Sequence, residues 1–121
     1  ALSKDEFSFI QQYPNISHFL AETVFQIEDK DILTAILFHK ECLDGTGYPN
    51  QLIDKHIPIM AKIISIADAF DALMSTRPYR QKKSRDEAIH ILKSGSGIKW
   101  DEHILNKFIN LFTKKEINIV N

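Results

Sequence analysis

Apolar side chains recur at three- and four-residue intervals along almost the whole chain, and no run of β-branched residues alternates with polar ones. This periodicity predicts an all-α domain, a bundle of about six helices. Ser3 followed by Glu6 forms a capping-box start for a helix reaching about Tyr13, where Pro14-Asn15 interrupts it. Ile16, Phe19, Leu20, Val24 and Ile27 then make a second apolar stripe. A third helix is expected from near Asp29 to about Glu41, with Ile32, Leu33, Ile36 and Leu37 facing inward. Pro58 suits the first turn of a fourth, because its missing N–H has no helical partner there anyway. That helix continues to about Ser75 and carries Ile59, Met60, Ile63, Ile64, Ile66, Phe70 and Leu73. It is apolar nearly all round and is expected to be the central, most buried helix. Ser84 with Glu87 repeats the capping-box pattern for a fifth helix, stopped by Gly95-Ser96-Gly97. Asp101 caps a sixth that includes Ile104, Phe108, Leu111 and Phe112.

At 121 residues the chain reads as one domain, residues 1–121, without an internal repeat, low-complexity tract or linker. A domain of this size buries roughly two thirds of its unfolded surface. Fifteen Lys and Arg against 16 Asp and Glu leave a net charge of -1. No global field favours a nucleic acid polymer or an anionic membrane, so any phosphate preference must be local. A single cysteine, Cys42, excludes an internal disulfide framework and fits a reducing compartment. With no run approaching a membrane span and no signal peptide, the expectation is a cytoplasmic domain. The chain opens Ala1-Leu2-Ser3 without Met, as an excised or processed piece of something longer would.

The longest irregular stretch, from Asp44 to His56, contains Gly45, Gly47 and Pro49. Long loops in compact domains are usually functional. His39 precedes it, on the face of the third helix defined by Ile32 and Ile36, and is expected to point inward. Alone, such a histidine is a hydrogen-bonded core residue or a ligand. Asp68, midway along the apolar fourth helix, is a salt-bridge partner or a coordinating carboxylate, since an unpaired buried charge is costly. Arg77, Arg80, Lys82, Lys83 and Arg85 place five cations within nine residues without a carboxylate. They form a solvated basic turn or a phosphate-binding one, for which arginine forks suit bidentate contacts.

Taken together, His39-Lys40-Glu41-Cys42-Leu43-Asp44-Gly45-Thr46-Gly47-Tyr48-Pro49 resembles the loop motif of the HD-GYP domain family, in which His-His-Glu usually precedes the loop. Ile57-Pro58, Ala61-Lys62-Ile63, Ala67-Asp68-Ala69-Phe70-Asp71-Ala72-Leu73 and Arg77-Pro78-Tyr79-Arg80 are similar to further family segments in the same order. Trp100-Asp101 stands where Phe-Asp is usual, and the resemblance covers essentially the whole chain. It implies the C-terminal part of a helical domain in cyclic di-GMP signalling, the upstream metal-binding helices being absent. It further implies a metal-ligand role for His39 and Asp68, nucleotide-phosphate contacts for Arg77 and Arg80, ligand contact or loop anchoring for Tyr48, and an interaction loop at Asp44, Gly45, Gly47, Tyr48 and Pro49. Through that loop the family is thought to meet GGDEF-type diguanylate cyclase domains.

The sequence departs from the pattern at telling positions. Lys40 stands where the second histidine belongs, and Tyr13-Pro14 where a His-Pro pair belongs. Two protein ligands fall short of the three or more N/O donors a tight site needs. An ammonium about 4 Å from a divalent cation is repelled by several kcal/mol at an effective dielectric near 20. No metal is therefore expected in this chain, and iron or manganese only if ligands from elsewhere complete the site. No catalytic residue is assigned. Lys40 instead offers a positive charge for a phosphate. Gln51-Leu52-Ile53-Asp54 replaces the usual Gly-Leu-x-Gly, removing two residues that tolerate positive φ, so an altered loop is expected. His18, His56, His90 and His103 match no family ligand and read as surface or boundary residues. Three functional readings follow: a noncatalytic module binding cyclic di-GMP or a partner protein, a phosphodiesterase completed by another segment or subunit, and a dimerisation scaffold. A homo-oligomer is expected because a bundle short of helices leaves apolar surface uncovered.

Overall fold

The computed structural model describes residues 3–76, 78 and 81–113. Six α-helices occur among them: α1 (Lys4–Ile10), α2 (Tyr13–Phe19), α3 (Lys30–Phe38), α4 (Ile59–Met74), α5 (Arg85–Ser94) and α6 (Glu102–Thr113). No β-strand is present among the described residues, which makes the domain all-helical as the periodicity predicts.

Cap chemistry sets most helix starts. Ser3 and Glu6 exchange hydrogen bonds at the head of α1, and Ser84 and Glu87 do the same at α5. The Asp29 carboxylate accepts from the Asp31 and Ile32 N–H groups at α3, and Asp101 accepts from the Ile104 N–H at 2.9 Å at α6. Pro58 is the N-cap of α4.

Four local expectations are corrected. The first helix ends at Ile10, not near Tyr13. Pro14 does not break a helix but lies buried in the first turn of α2, where its fixed φ and missing N–H fit. The chain continues from α2 into a π-helical turn, Leu20–Val24. Helix α3 stops at Phe38 rather than Glu41, leaving His39 as its C-cap. Ile32, expected inward, is exposed, whereas Leu33 is buried as expected and Ala35 joins it.

Helix α4 is the hub: α3, α5 and α6 all pack on it. Ile66 and Phe70 join Ala88 and Leu92 of α5 and Leu105 and Phe112 of α6 in one buried cluster. The ring centroids of Phe70, Phe108 and Phe112 lie 5.2–5.3 Å apart, Phe108 meeting the other two edge-on as aromatic pairs favour. The expectation that α4 is the most buried helix fails on its other face. Ile59 is 66 % exposed, and Met60, Ile63 and Ile64 are exposed beside it, because no described element packs there. Asp68 accordingly is half exposed rather than deep in the core.

Candidate functional site

The turn from α3 into the loop is organised by Glu41. This side chain is only 3 % exposed, and it is the buried charged residue among those described. Its two carboxylate oxygens accept from loop backbone, Oε2 from the Asn50 N–H at 2.6 Å and Oε1 from the Leu52 N–H at 2.7 Å. An acceptor-only carboxylate thus replaces the strand partner these amides lack. Gly47 is buried against the same turn. A Cβ on it would lie 2.4 Å from the Cys42 nitrogen and 2.5 Å from Glu41 Cα and the Lys40 carbonyl oxygen. All three are main-chain atoms, so only glycine lets the loop close over its own stem.

Asp44 starts the loop. Its Oδ1 accepts from the Thr46 hydroxyl at 2.6 Å and the Thr46 N–H at 3.0 Å. These bonds, the hydroxyl first, hold the Asp44 carboxyl below the ordinary aspartate range. The loop also joins the C-terminal half, because the Asp44 N–H donates to the Ile98 carbonyl at 3.0 Å and the Leu43 N–H to that of Lys99 at 3.4 Å. Burial raises the pKa of neighbouring Cys42 above its ordinary value. At the far end, Gln51 adopts φ 53°. This is a left-handed residue held without glycine, at a cost of about 1 kcal/mol. Asp54 has a different use, pairing with Lys62 to tie the short 3-10 turn Asp54–His56 to α4.

The candidate ligands meet differently from the expectation. Lys40 Nζ lies 2.7 Å from Asp68 Oδ2, so the ammonium occupies the approach to the carboxylate that a cation would need. The two side chains are 40 % and 42 % exposed, which limits the pair to about 1 kcal/mol. His39 does not extend the apolar face of α3. From the C-cap, its Nδ1 lies 2.8 Å from the Ile36 carbonyl oxygen, which only a protonated Nδ1 can satisfy, leaving Nε2 as the acceptor of the neutral ring. His39, Lys40 and Tyr48 line a cavity of about 290 Å³ with Ile10, Tyr13, Pro14 and Ser17. Tyr48 is half-buried and meets Phe7 of α1 edge-on, ring centroids 6.1 Å apart, which joins α1 to the loop.

Arg77 and Arg80 lie outside the described residues. Of the remaining cations in that run, Arg85 sits over the Phe112 ring at 5.7 Å and caps the buried cluster. Lys83 is half-buried and Lys82 exposed. Sequence reasoning missed Glu41 and assigned it no role. The available signal was a carboxylate standing directly before a loop rich in unpaired backbone N–H groups.

An all-helical domain whose α3 feeds a glycine-punctuated loop against α4, with His39 and Asp68 at their junction, defines a class. Residues 1–104 match the HD domain family, and the chain belongs to it, with the loop motif of its HD-GYP branch. A cyclic di-GMP phosphodiesterase of Thermotoga maritima is 33% identical over 123 residues, spanning 98% of this chain and 32% of that protein. A cyclic di-GMP phosphodiesterase of Borreliella burgdorferi, PdeB, is 32% identical over 120 residues, spanning 99% and 31%. An HDGYP protein from Bdellovibrio bacteriovorus shares the fold, with a TM-score of 0.73 at 19% identity over 93% of this chain and 35% of that one. The chain thus spans about a third of the length of its curated relatives.

Phosphodiesterases of this family are metal-dependent. The described residues do not fit such a centre: no group of three or more His, Cys, Asp or Glu side chains converges among them, and Asp68 is paired with an ammonium. Among the described residues no helix is long and apolar enough to cross a membrane.

Proposed function

We propose that this chain is a noncatalytic module of cyclic di-GMP signalling that binds the cyclic dinucleotide without hydrolysing it. The observation that carries this reading is the Lys40–Asp68 pair at 2.7 Å. In-line attack on phosphorus needs an activated hydroxide and a cationic clamp on the developing charge. A Lys–Asp pair supplies neither the hydroxide nor a divalent charge. It does supply a phosphate contact, since an ammonium has three N–H donors and Asp68 takes one. His39 and Tyr48 line the same cavity as Lys40. Arg77 and Arg80 add phosphate contacts in this reading, and Asp44 to Pro49 form a surface for a partner such as a GGDEF-type cyclase domain. Calorimetric titration with cyclic di-GMP tests it. Saturable binding, weakened in Lys40→Ala, is expected, with the dinucleotide recovered intact after incubation with manganese or iron. Linear product would overturn the reading.

One observation favours a second reading. His39 donates from Nδ1 to a backbone carbonyl, the arrangement that orients Nε2 of metal-bound histidines. A phosphodiesterase whose other ligands come from an upstream segment or a second subunit would use it. Under that reading the intact protein holds iron or manganese and cleaves the dinucleotide.

The exposed side chains of Phe9, Phe19, Phe25, Ile59, Ile63 and Ile64 support self-association of this chain. Sedimentation should give a dimer; a stable monomer at high concentration would remove the oligomer from the account.

A further inference from the structure

On the other side of Tyr48 lies a groove of about 360 Å³ whose chemistry differs from that of the cavity beside Lys40. Four carboxamides line it, Gln11 and Gln12 from the α1–α2 corner, Asn15 from α2 and Gln51 from the loop. It contains no carboxylate, ammonium, guanidinium or imidazole. None of the four side-chain amides makes a hydrogen bond within the described residues. A single exposed carboxamide is satisfied by water and carries no information. Four lining one concave surface beside an aromatic residue offer up to eight N–H donors and four carbonyl acceptors without a fixed charge.

The geometry points to this groove as a purine-base site. Carboxamides read purine edges by paired donor and acceptor contacts, and a ring in the wall favours a flat ligand. A neutral groove gives phosphate no reason to enter. That group belongs at Lys40, in the cavity that shares Tyr48 as a wall. Gln51 adds a separate argument: it holds a left-handed backbone conformation that glycine would adopt without strain, and strain persists where the side chain has a use. The inference rests on the dinucleotide-binding reading and adds which part of the ligand goes where.

Phosphate-free nucleosides separate the two. In ¹H–¹⁵N spectra of the labelled chain, guanosine and adenosine should shift the side-chain amide signals of Gln11, Gln12, Asn15 and Gln51 saturably, and uridine much less. Asn15→Ala and Gln51→Gly, both at exposed positions, should each weaken guanosine binding at least about fivefold, the loss of one such contact. Raised salt should leave it unchanged, because no ion pair forms. No shift of these amides with guanosine, or an equal response to uridine, would overturn the base site. Cyclic di-GMP binding with unmoved carboxamides would leave the dinucleotide reading standing and remove the groove from it. Carboxamide shifts with guanosine but no binding of cyclic di-GMP would keep the groove and remove that reading.

Discussion

The two halves of this domain solve the burial problem differently. From Ile66 onward, α4, α5 and α6 close around a single cluster in which Ala88, Leu92 and Leu105 are fully buried and Trp100 donates its indole N–H to the Leu92 carbonyl at 2.7 Å. From α1 to the first turns of α4, small residues such as Ala21, Ala35 and Ala61 are buried while Phe9, Phe19, Ile59 and, at 72 % exposure, Phe25 are not. The loop lies on the seam, fastened to the closed half through Asp44 and Ile98 and touched by the open half through Phe7 and Tyr48. Global stability therefore belongs to the closed half. The site borrows from it and keeps one wall, α1 and α2, on the half with fewer buried contacts, where local opening is easiest.

Substitutions that treat the halves as equal should expose the difference. Leu92→Ala removes a fully buried side chain and should cost about 3 kcal/mol in urea unfolding. At concentrations low enough to keep the chain monomeric, Ile63→Ala on the open face of α4 should cost less than about 1 kcal/mol. Comparable losses there would mean that the face is covered within the chain itself. Next in size comes the seam. Glu41→Ala leaves the Asn50 and Leu52 N–H groups without their acceptor and should cost about 2 kcal/mol. Its effect should concentrate in the loop, seen as faster amide exchange from Asn50 to Leu52 with the α5 and α6 amides unchanged. Uniform acceleration would show that the clamp supports the whole fold. Smaller and opposite in sign, Gln51→Gly relieves a left-handed residue and should raise stability by up to about 1 kcal/mol, read as a higher denaturation midpoint. A lowered midpoint would mean that the Gln51 side chain holds the loop.

What was legible in the sequence follows the range of the interactions. The caps at Ser3, Ser84 and Asp101, and the helix start near Asp29, were readable because a cap is made within three residues. Pro14 was misread because a helix break and a first-turn proline share one local pattern, and only packing chooses between them. The open face of α4 was invisible for a similar reason: an all-apolar helix does not say which side its neighbours cover. At the site, the motif singled out His39, Lys40, Asp68 and the loop but not their relations. Lys40 and Asp68 are 28 residues apart: Asp68 reads as a salt-bridge partner or a metal ligand and Lys40 as a phosphate contact, and nothing local pairs the two with each other. Glu41 is the same lesson from the opposite side, since its worth lies in amides nine and eleven residues downstream that no local rule connects to it.

The central claim is that an ammonium stands beside Asp68 where a metal-dependent hydrolase needs a cation. The most direct test is the metal content of the purified chain, measured by elemental analysis after incubation with manganese or iron and removal of free ions. The account predicts far less than one metal per chain. One tightly held metal per chain would contradict it.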